Sequence, residues 1–100
     1  MYAKLVTIEG QQASSMDEAI AQFRDRSVRA MKGEPGWRGA YLLVDREAGK
    51  GVAISLWESL EALEATERVA ARFRETAART SGAAEPARME AFEVVVQEVP

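Results

Sequence analysis

Histidine and cysteine are both absent from this 100-residue chain, and each absence removes a class of chemistry. Without histidine the commonest general base and the commonest metal ligand are missing, so a Ser-His-Asp triad, a Cys-His dyad and a His-bound zinc are excluded. Without cysteine there is no disulfide framework, no thiolate nucleophile and no thiolate metal cluster. Long apolar runs are lacking too: Met1-Tyr2-Ala3-Lys4-Leu5 leads straight into a strand-like pattern. Neither a signal peptide nor a transmembrane helix is expected, and cytoplasmic residence is the default expectation.

Charge of one sign is also in short supply. Sixteen acidic residues against 13 basic ones leave a net charge of −3, which is neither a nucleic-acid footprint nor an acidic tail. The arginines are spread along the chain among glutamates and read as solvated helix faces. What remains is a globular composition, 47% hydrophobic and 29% charged, of a length that suits one domain over residues 1–100.

Tyr2 to Ile8 forms a short run with Val and Thr that Glu9-Gly10 ends, the pattern of a first strand. Ser15-Met16-Asp17-Glu18 matches a capping box and predicts a helix start at that serine. Met16, Ile20, Phe23, Ser27 or Val28, and Met31 then recur at helical spacing until Gly33-Glu34-Pro35-Gly36 interrupts them. Trp37 to Asp45 and Val52 to Trp57 are two further strands, joined by polar, Gly-containing Arg46 to Gly51 as a hairpin. Ser59 is placed to cap a second helix running to about Thr80, with Ala62, Ala65, Val69, Phe73 and Ala77 on its inner stripe. Ser81 to Pro86 breaks it, and Arg88 to Val99 supplies a last strand.

The second strand carries the main structural argument. Side chains alternate at period two, so Trp37, Tyr41 and Leu43 point one way and Ala40, Leu42 and Val44 the other. Both faces are therefore apolar, and the third and last strands repeat the pattern. Two helices in so short a chain cover only one face. The other predicts a homodimer through the sheet face, since a bare apolar face of several hundred Å² invites association.

Pro35-Gly36-Trp37-Arg38-Gly39-Ala40-Tyr41-Leu42-Leu43-Val44-Asp45-Arg46, followed by Ser55-Leu56-Trp57-Glu58-Ser59, resembles the antibiotic-biosynthesis-monooxygenase-like (ABM) members of the dimeric α+β barrel superfamily. The resemblance implies an α+β, ferredoxin-like βαββαβ fold: a four-stranded antiparallel sheet, two helices on one face, and a dimeric α+β barrel. It also implies a pocket between helices and sheet. Haem-degrading members use Asn, Trp and His, with the Trp and His on the second helix; this chain has no His and no Asn, and both its Trp residues fall on predicted strands. Cofactor-free members oxidise electron-rich polycyclic phenols by deprotonating the substrate, whose anion passes an electron to dioxygen, and tend to use Asn, Trp, Tyr and Arg.

The expectation is thus a cofactor-independent, monooxygenase-like protein that acts on or binds a small aromatic or apolar molecule, with no metal and no cofactor. The alternative is a non-catalytic small-ligand-binding or stress-related dimeric module, favoured by the missing His, Asn and Cys; a ligand-free oligomeric scaffold is a third reading. Candidate ligand-binding residues are Phe23, Met31, Trp37, Tyr41, Trp57, Arg72 and Phe73, with no catalytic residue assigned. Each has a plainer reading: Trp57 as core beneath the second helix, Trp37 and Tyr41 as dimer interface, Phe23, Met31 and Phe73 as core, Arg72 as surface charge. Arg38 as an anion holder and Glu58 as a base are weighed against surface roles in the same way. Glu61, Glu64, Glu67 and Arg68 read as a solvent face.

Overall fold

The hydrophobic periods resolve into strands and helices in the expected order. In a computed structural model that describes residues 1–67 and 87–100, β1 (Tyr2–Ile8) is followed by α1 (Ala13–Gln22), one π-helical turn (Phe23–Ser27) and α2 (Val28–Lys32). A hairpin of β2 (Trp37–Asp45) and β3 (Lys50–Trp57), then α3 (Leu60–Ala65) and β4 (Arg88–Glu93), complete the described elements. The strands form one antiparallel sheet in the order β2-β3-β1-β4. This is the ferredoxin-like α+β arrangement, with β1 and β3 at its centre. Among the described residues no helix is long and apolar enough to cross a membrane. The expected continuation of the second helix to Thr80, with Val69, Phe73 and Ala77, and the Ser81–Pro86 break lie outside the described residues.

Local chemistry accounts for the hairpin and for the second helix start. Asp45 pairs with Lys50, so the loop is Arg46 to Gly49; Asp45 Oδ1 accepts from the Ala48 N–H at 3.0 Å, and Gly49 takes the left-handed conformation (φ +68°) that closes such loops. Ser59 accepts from the Ala62 N–H at 3.1 Å, satisfying one of the helix's orphan donors. Ser59→Ala should therefore lower stability by about 1 kcal/mol, read as a lower urea midpoint at unchanged slope. Just before β2, Gly36 sits at φ +83°, where a Cβ would come within 2.8 Å of the Ala62 Cβ. Glycine there lets the strand enter against α3, and the Glu58 N–H donates to the Gly36 carbonyl at 2.7 Å.

Three sequence expectations are corrected. The first helix opens at Ala13 rather than at a Ser15 cap, with Gln12 extended and no side-chain cap bond. The cause is tertiary: the Gln11 N–H donates to the Gly49 carbonyl at 2.9 Å, and the Ser15 N–H already bonds Gln12 O within the first turn. The last strand ends at Glu93 rather than Val99. Its neighbour β1 opens at Tyr2, and one further bond from the Val94 N–H to Met1 O, 2.9 Å, finishes the ladder.

The third correction concerns Trp37, which does not share a face with Tyr41 and Leu43. A register shift between Trp37 and Gly39 leaves Arg38 as the extra residue, so Trp37 lies opposite Trp57 while Tyr41 lies opposite Ile54. A bulge breaks strict alternation in this way.

Candidate functional site

The pairing register decides which strand residues meet the helices. Three layers cross the inner face: Ala40-Ser55-Lys4, Leu42-Ala53-Val6 and Val44-Gly51-Ile8. Tyr41, Leu43, Val52, Ile54, Leu56, Ala3, Leu5 and Thr7 occupy the outer face with Phe92. Tyr41 and Leu43 on one edge strand and Phe92 on the other stand 58%, 52% and 50% exposed there, with nothing over them among the described residues.

On the inner face the middle strand β3 presents Gly51, Ala53 and Ser55 in succession, so the floor beneath the first helix is shallow. Interiors pack to high density when side chains are large enough to meet; here they are not, and a cavity of about 120 Å³ opens. Its floor is Lys4, Val6, Ile8, Leu42, Val44, Gly51, Ala53, Ser55 and Trp57, and its roof is Met16, Ala19, Ile20, Phe23, Ser27, Ala30 and Met31. Gln11, Glu34 and Thr66 also border it. The π-helical turn, marked by a bond from the Val28 N–H to Phe23 O, lies directly over this space and contributes Phe23 and Ser27 to its wall. Such turns recur at functional sites because they widen the helix locally.

Trp57 anchors one end. It is fully buried, and its indole N–H donates to Ser55 Oγ at 2.9 Å. The Thr66 hydroxyl donates to the Leu63 carbonyl at 2.9 Å. Lys4 is the unexpected member: a cation only 5% exposed on the central strand, held by Glu67 Oε2 at 3.3 Å. A buried charge is costly unless paired, and Glu67, whose side chain is 29% exposed, contributes to that pairing. At the other end the Gln11 side chain lies over Gly51, and its Oε1 is buried without a hydrogen-bond partner.

Of the residues singled out from sequence, Phe23, Met31 and Trp57 come together around this cavity. Tyr41 lies on the opposite face of the sheet, and Trp37, displaced by the bulge, is not part of the cavity wall. Arg72 and Phe73 lie outside the described residues. Arg38 and Glu58 pair with each other at 3.5 Å on the surface, both more than half exposed, and neither borders the cavity. Asp25 has its carboxyl held below the usual range by the hydrogen bond from Arg24; that pair sits on the exposed side of the same π-helical turn and does not line the cavity. Sequence reasoning passed over Lys4, Gln11 and Ser55 as site residues, and read Glu67 as part of a solvent face where it pairs with buried Lys4. For Lys4 a signal existed: a lysine in phase with Val6 and Ile8 on a strand apolar on both sides is bound to be buried if that strand is central.

No family model matches the chain. Among curated proteins it is similar to two uncharacterized proteins of Mycobacterium tuberculosis, Rv2558 (42% identical over 78 residues) and Rv2557 (37% over 82 residues). The matches cover 78% and 82% of this chain, which spans only about a third of the length of those relatives, 33% and 36%. Among solved structures, the ActVA-Orf6 monooxygenase of Streptomyces coelicolor superposes with TM-score 0.80 at 17% identity, covering 99% of this chain and 91% of that one. MhuD, a haem-degrader of M. tuberculosis, superposes with TM-score 0.72 at 25% identity, covering 99% and 100%. A Bordetella bronchiseptica protein provisionally described as an antibiotic biosynthesis monooxygenase gives 0.65 at 20% identity, covering 95% and 97%. By its strand order, its helix-over-sheet layering and these likenesses, the chain has the fold of the antibiotic biosynthesis monooxygenase structures.

Proposed function

We propose that this domain takes a small aromatic or apolar molecule into the cavity between the first helix and the sheet and oxidises it with dioxygen without a cofactor, as a homodimer that packs sheet on sheet. The cavity carries the reading: apolar walls around about 120 Å³ are the size of a void that holds a single benzene ring, about 150 Å³. In such a reaction the deprotonated ring gives the first electron to dioxygen and supplies all four in total: one oxygen atom ends on the ring as a quinone carbonyl, and the other leaves as water with the two hydrogens the ring loses. The protein's part is to hold the ring, exclude bulk water and leave room for dioxygen.

Haem, which MhuD binds, does not fit the residues present. The chain has neither His nor Cys to hold iron. The nanaomycin D ligand of ActVA-Orf6 is likewise no guide to size here.

One observation favours the non-catalytic reading: the Ser55 hydroxyl accepts from Trp57 and the Thr66 hydroxyl donates to Leu63 O, so both are engaged within the protein. A panel of phenols, hydroquinones and naphthols, followed by oxygen uptake and thermal shift, separates the readings. Oxygen consumption with a single-ring substrate is the expected result. Thermal stabilisation without uptake makes the domain a binding module, and neither response sinks both. Ala53→Leu, which fills the cavity floor, should abolish binding and uptake while the domain stays folded.

A further inference from the structure

Two glycines make room for Gln11. Its own N–H donates to the Gly49 carbonyl at 2.9 Å, and a Cβ on Gly49 would stand 2.5 Å from the Gln11 carbonyl oxygen. Gly51, in phase with Ala53 and Ser55, would point its Cβ to the inner face, 3.2 Å from Gln11 Oε1 and 3.5 Å from Nε2. Glycine inside a strand weakens it and marks the close approach of another group. The group here is the Gln11 amide, yet its oxygen serves nothing in the fold: Oε1 is buried without a hydrogen-bond partner. Gln11 and Gly51 both border the cavity, and the layer beneath, Val44-Gly51-Ile8, has no side-chain donor to offer. The seating of Gln11 thus leaves an acceptor for whatever occupies the cavity.

We propose that Gln11 Oε1 is the ligand-orienting acceptor of the cavity, which therefore selects a neutral single-ring phenol and takes it with the hydroxyl toward Gly51. The proposal rests on the ring-binding reading above and adds to it a contact, an orientation and a rule of selection. Ala53, the next inward position about 7 Å along the strand, then lies beneath the ring. A wholly apolar cavity prefers toluene to phenol, since the two are nearly equal in size and only phenol has to shed water from a hydroxyl. An acceptor in the wall works against that order: phenol exchanges its water for Oε1, whereas toluene leaves the buried oxygen orphaned. An amide oxygen accepts a hydrogen bond but takes up no proton, so the contact orients the hydroxyl and has no part in ionising the ring.

The test titrates the whole chain calorimetrically with phenol and with toluene. The unaltered protein should bind phenol at least as tightly as toluene. Gln11→Met keeps the length of the side chain and removes the acceptor; it should weaken phenol about tenfold, the worth of one hydrogen bond to a buried acceptor, and leave toluene as tightly bound or more so. A merely structural role for Gln11 would move both ligands together. Tighter binding of toluene than of phenol by the unaltered protein overturns the inference and makes Oε1 a water site, and this comparison stands even if Gln11→Met fails to fold. Phenol bound equally well by Gln11→Met, or both ligands weakened alike, overturns it too. Each of these results leaves the ring-binding reading in place, whereas binding of neither compound defeats that reading as well.

Discussion

Replacing Trp57 by alanine is expected to unfold the domain at ordinary temperatures or bring it to the edge of unfolding. Trp57 is 0% exposed, closes one end of the cavity, and stands at the junction of β3 and α3. Truncating a fully buried tryptophan costs about 3–5 kcal/mol, against a total stability for small domains of about 5–15 kcal/mol. In a domain of this length each kcal/mol moves the melting temperature by roughly 4–8 °C, so a fall of tens of degrees is expected in a melt at fixed protein concentration. Trp57→Phe separates the two contributions. It keeps an aromatic ring but removes the N–H that donates to Ser55 Oγ at 2.9 Å, and should cost about 1–3 kcal/mol. A Trp57→Ala variant melting within a few degrees of the parent would show that the core does not depend on this residue.

The second large effect is on assembly. The proposed homodimer covers the outer sheet face, where Tyr41, Leu43 and Phe92 are half exposed or more and flank the apolar positions Ile54, Val52 and Leu5. Beyond β4, Val95, Val96 and Val99 are 76–80% exposed. Light scattering at micromolar concentration should give twice the 11.0 kDa of one chain. Leu43→Glu should return it to one chain, because an unpaired carboxylate buried in such an interface costs several kcal/mol and each 1.4 kcal/mol is tenfold in dissociation constant. Glu47→Lys, on the exposed hairpin loop, should leave the mass unchanged. A parent protein that scatters as a single chain would remove the dimer.

How much of this was legible beforehand depends on whether the signal was local. Tyr2–Ile8 and Trp37–Asp45 are read with their observed limits, because alternation and turn residues act within a few positions. Ser59 is recognisable as a cap for the same reason. The Ser15 cap fails because a tether between Gln11 and Gly49, far apart in sequence, sets where the helix begins. Trp37 is misplaced because one extra residue at Arg38 shifts its phase; Gly39 beside it, at φ +150°, is the local sign of that bulge.

The site was legible only in part. Phe23, Met31 and Trp57 belong to an inward apolar pattern that periodicity reveals. The space they surround arises from an absence of bulk at Gly51, Ala53 and Ser55, which matters only once a helix is laid across them. By itself the sequence determined the strand and helix order, the two apolar faces of the sheet, and the exclusion of histidine and thiolate chemistry, since all of these follow from residue type and short spacing. Only the tertiary structure decided that Leu42 and Val44 face the helices while Tyr41 and Leu43 face away, and that Lys4 is buried against Glu67. Alternation says that two sets of side chains differ but not which lies inside; that choice is made by the pairing register and by the side of the sheet on which the helices pack.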